Sequence, residues 1–221
     1  MRLYHFLSAE NALDDLKNKR VKISIIEKLN DPFEYQAGFV KPNRALRDQF
    51  ARFKKNISNE FGIFCCSKTW HNPLLWSHYA SKHTGIALGF NMPNSKAIEV
   101  TYSKNRPLFT SDSLSKKSDN TEYLGKLSKT KLSSWSYEEE VRFVYPLNTL
   151  QFDNGHYFNT FDDQMILKDV IIGCNSDITR NAILTAMKGY KNIMVIWSRM
   201  AYKSFRIVRN QQKVLNLKKL P

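Results

Sequence analysis

Short runs in which apolar and polar side chains alternate, separated by a few stretches with apolar residues at helical spacing, recur along the whole chain. Leu3 to Phe6 reads as a short strand ending at Ser8, a residue suited to cap a helix whose apolar stripe is Ala12, Leu13 and Leu16. Val21, Ile23 and Ile25 then alternate with Lys22 and Ser24, the period of a strand. In the loop KLNDPFEYQ that follows, Asn30, Asp31 and Pro32 are turn formers and Phe33 and Tyr35 apolar anchors. Arg44 to Asn56 is predicted as a basic helix with Leu46, Phe50 and Phe53 facing inward. Gly62 to Ser67 (GIFCCS) predicts a buried strand, Asn72-Pro73 a helix start, and Pro73 to Lys82 the helix.

Gly85 to Phe90 and Ile98 to Tyr102 predict two further strands, whereas Ser103 to Ser134 is polar and weakly periodic, a long loop with one helix around Glu122 to Lys129. A strand from Val141, another over Val170 to Gly173, a helix from Asp177 to Lys188 and a strand from Ile193 to Trp197 come next. A terminal strand pair near Phe205 to Val208 and Val214 to Leu217 closes the chain. No repeat or linker divides it, so residues 1–221 are expected to form one domain with a polar insertion at about 103–134. The order fits an α+β domain of short strands with flanking helices, without the regular alternation of a doubly wound sheet.

Composition adds a core and a charge. With 42% hydrophobic residues the chain can bury a substantial interior, and no run of apolar residues is long enough to span a membrane. The N-terminus turns acidic and amphipathic too early for a signal peptide, so the expected compartment is the cytoplasm. Cys65, Cys66 and Cys174 form no CxxC and suit a reducing environment. The formal charge is +14, and after Asp177 there is no acidic residue at all. Bases there alternate with Tyr202, Phe205, Ile207 and Val208, the arrangement of a cationic face that tracks a polyanion, so nucleic acid is the favoured partner. Charge of this kind also serves plain solubility.

Against that background the stretch WSYEEEVRFVY, Trp135 to Tyr145, sets three consecutive carboxylates at the mouth of a strand. Val141, Phe143 and Tyr145 share one face and Arg142 and Val144 the other, so Glu138 and Glu140 are expected to point the same way and Glu139 away. Such acids are either a solvated strand entry paired with nearby bases or a chemical centre. The usual dinucleotide, P-loop, zincin and hydrolase motifs are absent, and His71, His78 and His83 lack the spacing and the extra ligands of a metal site, so no metal is expected. Cys65 or Cys66 with His78 is a conceivable thiol and base, but both thiols lie in a buried run.

Four blocks, Leu3 to Ser24, LNDPFE at Leu29 to Glu34, WSHYASKHTGIALGF at Trp76 to Phe90 and WSYEEEVRFVY, together resemble the bacterial family called domain of unknown function 2971. The opening LYHF, with the order His, aromatic, Glu along the chain, also resembles ADP-ribosyltransferase-fold enzymes such as the DarT-type toxins and the RNA 2′-phosphotransferases. This second resemblance implies a split sheet and NAD as the substrate cofactor. It implies that His5, with Tyr4 beside it, binds the nicotinamide ribose, that Tyr79 stacks on the nicotinamide, and that Glu140 is the catalytic acid. Glu138 stands as the first acid of an ExE pair that steers the acceptor. Asn30, Asp31 and Phe33 are expected to line the cofactor cleft, with Trp76 a further aromatic wall, although the loop is equally a turn held by Asx hydrogen bonds and the aromatics equally core. No arginine is marked for the cofactor phosphates; Arg2, Arg20 and Arg142 are the candidates.

The expectation is thus an NAD-dependent mono-ADP-ribosyltransferase that modifies single-stranded RNA or DNA, a toxin or antiphage effector restrained by an antitoxin or inhibitor protein. Bases around Arg44 to Lys55 and on the terminal strands are expected to hold phosphates. A non-catalytic nucleic-acid-binding module and an NAD glycohydrolase are the alternatives.

Overall fold

The computed structural model describes residues 1–39, 43–110, 113 and 117–216. The N-terminal alternation forms β1 (Arg2–Leu7), burying Leu3 on one face and Phe6 on the other. Ser8 caps α1 (Ala9–Asn18) by accepting from the Asn11 N–H at 3.2 Å, and a left-handed Lys19 (φ 52°) turns the chain into β2 (Arg20–Ile25). Asn43 caps α2 (Arg44–Glu60) in the same way, through the Leu46 N–H at 2.8 Å, and β3 (Phe61–Ser67) follows directly.

Asn72 and Pro73 open α3 (Pro73–Tyr79), which ends three residues sooner than its sequence pattern predicts. The cause is backbone: Ser81, Lys82 and His83 all take left-handed conformations, so that Gly85 reaches the carbonyl of Leu7, where any Cβ would lie 2.0 Å from that oxygen. Next come β4 (Ile86–Asn91), β5 (Ile98–Glu99) and β6 (Thr101–Ser103). The polar insertion is more ordered than a loop. It contains α4 (Lys117–Lys129) and β7 (Thr130–Leu132), which pairs with β6 in parallel; residues 111, 112 and 114–116 of it lie outside the described residues.

After β8 (Glu140–Pro146), β9 (Gln151–Asp153) and β10 (His156–Thr160) make a hairpin absent from the predicted elements. Its turn is Asn154-Gly155, both at positive φ. β11 (Ile166–Ile172), α5 (Arg180–Ala186) and β12 (Met194–Met200) form a parallel crossover. The predicted terminal pair is instead one strand, β13 (Ile207–Asn216), laddered along β12, with Phe205 in the connection; Leu217, Lys218 and Lys219 lie outside the described residues.

The main sheet runs β13-β12-β11-β4-β1-β3-β2-β10-β9, with β8 on the far edge of β3 and β5 beyond it. One face is covered by α1 and α5, whose Ala12, Leu16, Ile183 and Ala186 pack on Leu88, Phe90, Val141 and Val170. The other face carries two separate layers. α2 and α4 bury Phe50, Phe53, Ile57 and Leu127 against Ile63, while α3 buries Leu75, Trp76 and Ala80 against Phe6, Ala87 and Ile171. The chain is therefore a mixed α+β fold with a large, mostly antiparallel sheet.

Candidate functional site

The sheet is split where β1 and β2 share one edge of β3. β8 pairs with β3 along its whole length, from Phe61↔Pro146 to Ser67↔Glu140. On the opposite edge β1 meets β3 only at Tyr4↔Ser67 and β2 only at Ser24↔Ile63 and Ile25↔Gly62. Between these contacts the edge of Phe64 to Cys66 is left without a strand partner, and a cavity of about 310 Å³ opens there. Tyr4, His5, Ser24, Lys22, Lys28, Leu29, Asn30, Cys65, Leu75, Tyr79, Lys131, Glu138 and Glu140 line it.

His5 occupies the gap in the ladder. Its Nδ1 lies 2.8 Å from the Cys65 carbonyl oxygen and its ring leans on Phe64 with centroids 4.6 Å apart. A carbonyl only accepts, so Nδ1 carries the hydrogen and Nε2 keeps a lone pair. Burial lowers the imidazole pKa to about 4, against the Cys65 bond, so the ring is neutral at pH 7.

Across β3 lies a buried ionic cluster of Glu34, Glu138, Glu140, Lys131 and Arg142. Arg142 grips Glu140 with Nε to Oε1 at 2.8 Å and Nη2 to Oε2 at 2.9 Å, donates Nη1 to the Ser128 carbonyl at 3.2 Å and pairs with Glu34. Lys131 Nζ reaches Glu140 Oε2 at 3.0 Å, Glu34 Oε1 at 3.1 Å and Glu138 Oε2 at 2.5 Å. Burial alone would raise the Glu140 carboxyl, but Arg142 and Lys131 outweigh it and hold the pKa down to about 2, with the Cys65 thiol adding a hydrogen bond. For Glu138 the balance goes the other way: burial, reinforced by the Glu140 charge, outweighs Lys131 and Tyr79 and raises its pKa. Three carboxylates face two cations here, and Glu34, Glu138 and Glu140 all line the cleft.

Local structure places these groups. A 3-10 turn over Ser133–Glu138 and a left-handed Glu139 (φ 46°) lead into β8, so Glu138 and Glu140 reach the same lysine while Glu139 is exposed. Asp31 Oδ1 accepts from the Phe33 N–H at 2.9 Å, an Asx turn that aims Glu34 into the cluster. α3 presents Tyr79, whose hydroxyl donates to Glu138 Oε1 at 2.5 Å and accepts from Asn30 Nδ2 at 2.9 Å. Asn72 Nδ2 donates to the Tyr137 carbonyl at 3.2 Å, tying the start of that helix to the turn carrying Glu138.

Of the residues singled out from sequence, Tyr4, His5, Asn30, Tyr79, Glu138 and Glu140 all line the one cavity. Three do not. Trp76 is fully buried, with Nε1 donating to the Trp70 carbonyl at 2.6 Å; its place is the core under α3. Asp31 is spent on its turn, and Phe33, 59% exposed, lies outside the cleft near Arg106. The arginine candidates also fall elsewhere: Arg2 pairs with Asp169, Arg20 with Asp153, and Arg142 is sealed among carboxylates. Lys22 and Lys28 are the cations at the cavity besides Lys131. Among the described residues no group of His, Cys, Asp and Glu has the arrangement of a metal site, and no helix is long and apolar enough to cross a membrane.

Lys131 and Glu34 join the site in addition to the residues expected from sequence. Glu34 was legible as the last residue of LNDPFE, and Arg142 as a charge flanked by apolar residues in a strand that a chain must pair when it buries it. Lys131, in KTKLSSW, carries no local signal.

Residues 75–143 match the family model described as protein of unknown function (DUF2971). That part of the chain is similar to the DUF2971 family. No curated protein and no solved structure matches it. The DUF2971 match runs from α3 to the middle of β8, so it holds Tyr79, Lys131, Glu138, Glu140 and Arg142, while His5, Asn30 and Glu34 come from the chain before it.

Proposed function

We propose that the split-sheet cleft binds the nicotinamide end of NAD and that the protein transfers ADP-ribose to nucleic acid. One observation carries this reading: His5, Tyr79 and the Glu138/Glu140 pair, far apart in sequence, line a single cavity at the edge of β3 left open between β1 and β2. Tyr4 and Glu140 both lie opposite Ser67, on either side of β3, so their backbones are two strand spacings apart, roughly 10 Å, a span suited to a ribosyl group. A volume of about 310 Å³ is at the small end for a ligand site and suits the nicotinamide riboside half, with the adenosine half outside.

In this reading His5, neutral and with Nε2 accepting, takes a hydrogen bond from a ribose hydroxyl, and the Tyr79 ring covers the nicotinamide. Lys22 and Lys28 meet the pyrophosphate. The bond between nicotinamide and ribose C1′ breaks with its electron pair leaving on nicotinamide, and the cationic sugar is stabilised by the net negative cluster. An acceptor nitrogen or oxygen then bonds to C1′ and gives its proton to Glu138, whose raised pKa suits a base. Glu140, already holding Arg142 and Lys131, positions the cluster rather than taking the proton. The chain's formal charge of +14 supports a polyanionic acceptor. Incubation with adenylate-labelled NAD and short RNA or DNA oligonucleotides tests the reading. Label is expected on the oligonucleotide with the wild type and not with Glu138→Gln; label left in NAD by the wild type overturns it.

A second reading, a nucleic-acid-binding module without catalysis, is favoured by how completely the buried acids are paired with Lys131 and Arg142. It expects NAD to be ignored and salt-sensitive oligonucleotide binding to be indifferent to Glu138→Gln.

A further inference from the structure

The connection between β12 and β13 holds two aromatic rings out in solvent: Tyr202 is 89% and Phe205 98% exposed, with Met200 beside them at 69%. Apolar surface left uncovered in this way marks a contact site. The hairpin is not a loose end. The Ala201 N–H donates to the Arg206 carbonyl at 2.9 Å, and the Ile207 N–H donates to the His71 carbonyl at 2.8 Å. His71 Nδ1 returns a bond to the Ile207 carbonyl at 2.7 Å, pinning the hairpin base to the loop that opens α3.

The chemistry around the rings is cationic. The Arg199 guanidinium lies 4.3 Å from the centre of the Tyr202 ring, and Lys203 and Arg206 are exposed on the same turn. Under the tip is a groove of about 600 Å³, walled by Pro73 at the start of α3, by His83 in the turn that follows that helix and by Cys174, with no acidic residue among its lining. The opposite flank of α3, through Leu75 and Tyr79, lines the split-sheet cleft, so groove and cleft are separated by one short helix about 10 Å long. Exposed rings interleaved with cations are the elements of a base-stacking platform, in which rings take base faces and the bases' phosphates meet lysine and arginine.

We infer that the β12–β13 hairpin tip, through Tyr202 and Phe205 with Arg199, Lys203 and Arg206, is a docking platform for single-stranded nucleic acid that leads the strand past α3 toward the cleft. The inference rests on the reading of nucleic acid as the acceptor. It is tested by fluorescence anisotropy of labelled single-stranded DNA and RNA oligonucleotides, with heparin as a polyanion lacking bases.

Replacing Tyr202→Ala and Phe205→Ala together is expected to weaken oligonucleotide binding about tenfold or more. Heparin binding should hardly change, and Tyr202→Trp with Phe205→Trp should restore oligonucleotide binding. Lys203→Ala with Arg206→Ala is expected to lower the salt slope by roughly one per charge removed. The DNA and RNA arms report which strand the platform prefers. Equal oligonucleotide binding by the alanine pair overturns the platform, as does no binding by the wild type. Equal loss of heparin and oligonucleotide overturns it in favour of an acidic protein partner. Nicotinamide release from NAD, measured on the same preparations and expected to be unchanged in the alanine pair, separates failure of the platform from failure of the cleft.

Discussion

Two glutamates two residues apart, both bonded to Lys131, have their pKa values pushed in opposite directions. Glu140 is locked by Arg142 and Lys131 with its pKa held down to about 2, so its charge stabilises the fold at pH 7 and that contribution fades as the pH falls from the ordinary carboxylate range toward 2. Glu140→Gln is therefore expected to lower stability by about 2–4 kcal/mol at pH 7, measured by urea denaturation, with a difference that shrinks in acid. Arg142→Met should cost about 3–5 kcal/mol, because it strands the buried Glu34 and Glu140 charges. Asp15 offers the opposite sign. It is buried with Oδ2 lacking a partner, and burial, with Asp14 adding, raises its pKa to about 7. Folding takes up a proton there, so stability falls as pH rises from the ordinary carboxylate range through 7. Asp15→Asn should stabilise the protein at pH 8 by about 1–3 kcal/mol, with the gain vanishing near pH 4.

At the level of elements, the cleft is built from interruptions. α3 is stopped by three left-handed residues, and Gly85 behind them sits against the Leu7 carbonyl, so Gly85→Ala is expected to destabilise the fold by about 3 kcal/mol in the same assay and to loosen Tyr79. Local patterns made β1, α1, β2, α2, β3 and β8 legible, because alternation and caps such as Ser8 and Asn43 are written in neighbouring residues. The early end of α3 was not, since it depends on Gly85 meeting the Leu7 carbonyl and Gly173 meeting that of His83, contacts far apart in sequence. The β9–β10 hairpin did carry a signal, Asn154-Gly155, that weak flanking alternation obscured. Trp76 shows the limit for single residues: its sequence neighbours suit a cleft wall or a core equally, and only the helix rotation puts it at zero exposure.

For the molecule as a whole, the divergence of β1 and β2 along one edge of β3 is what converts scattered residues into a site. That topology was expected from resemblance, not from periodicity, and the ionic wall behind the cleft was only half legible because Lys131 sits on β7, in a separate two-stranded sheet with β6, and meets Glu34, Glu138 and Glu140 only once that small sheet is laid against the main one. In the proposed reading the chain's net charge of +14 would hold a polyanion, while the buried Glu34, Glu138 and Glu140, facing Lys131 and Arg142, would meet the developing sugar cation. Crystals soaked with NAD test this reading most directly. The account predicts density for the nicotinamide ribose between His5 and Tyr79 with C1′ in contact reach of Glu138; a saturating soak that leaves the split-sheet cleft without the dinucleotide, or places it elsewhere on the surface, contradicts it.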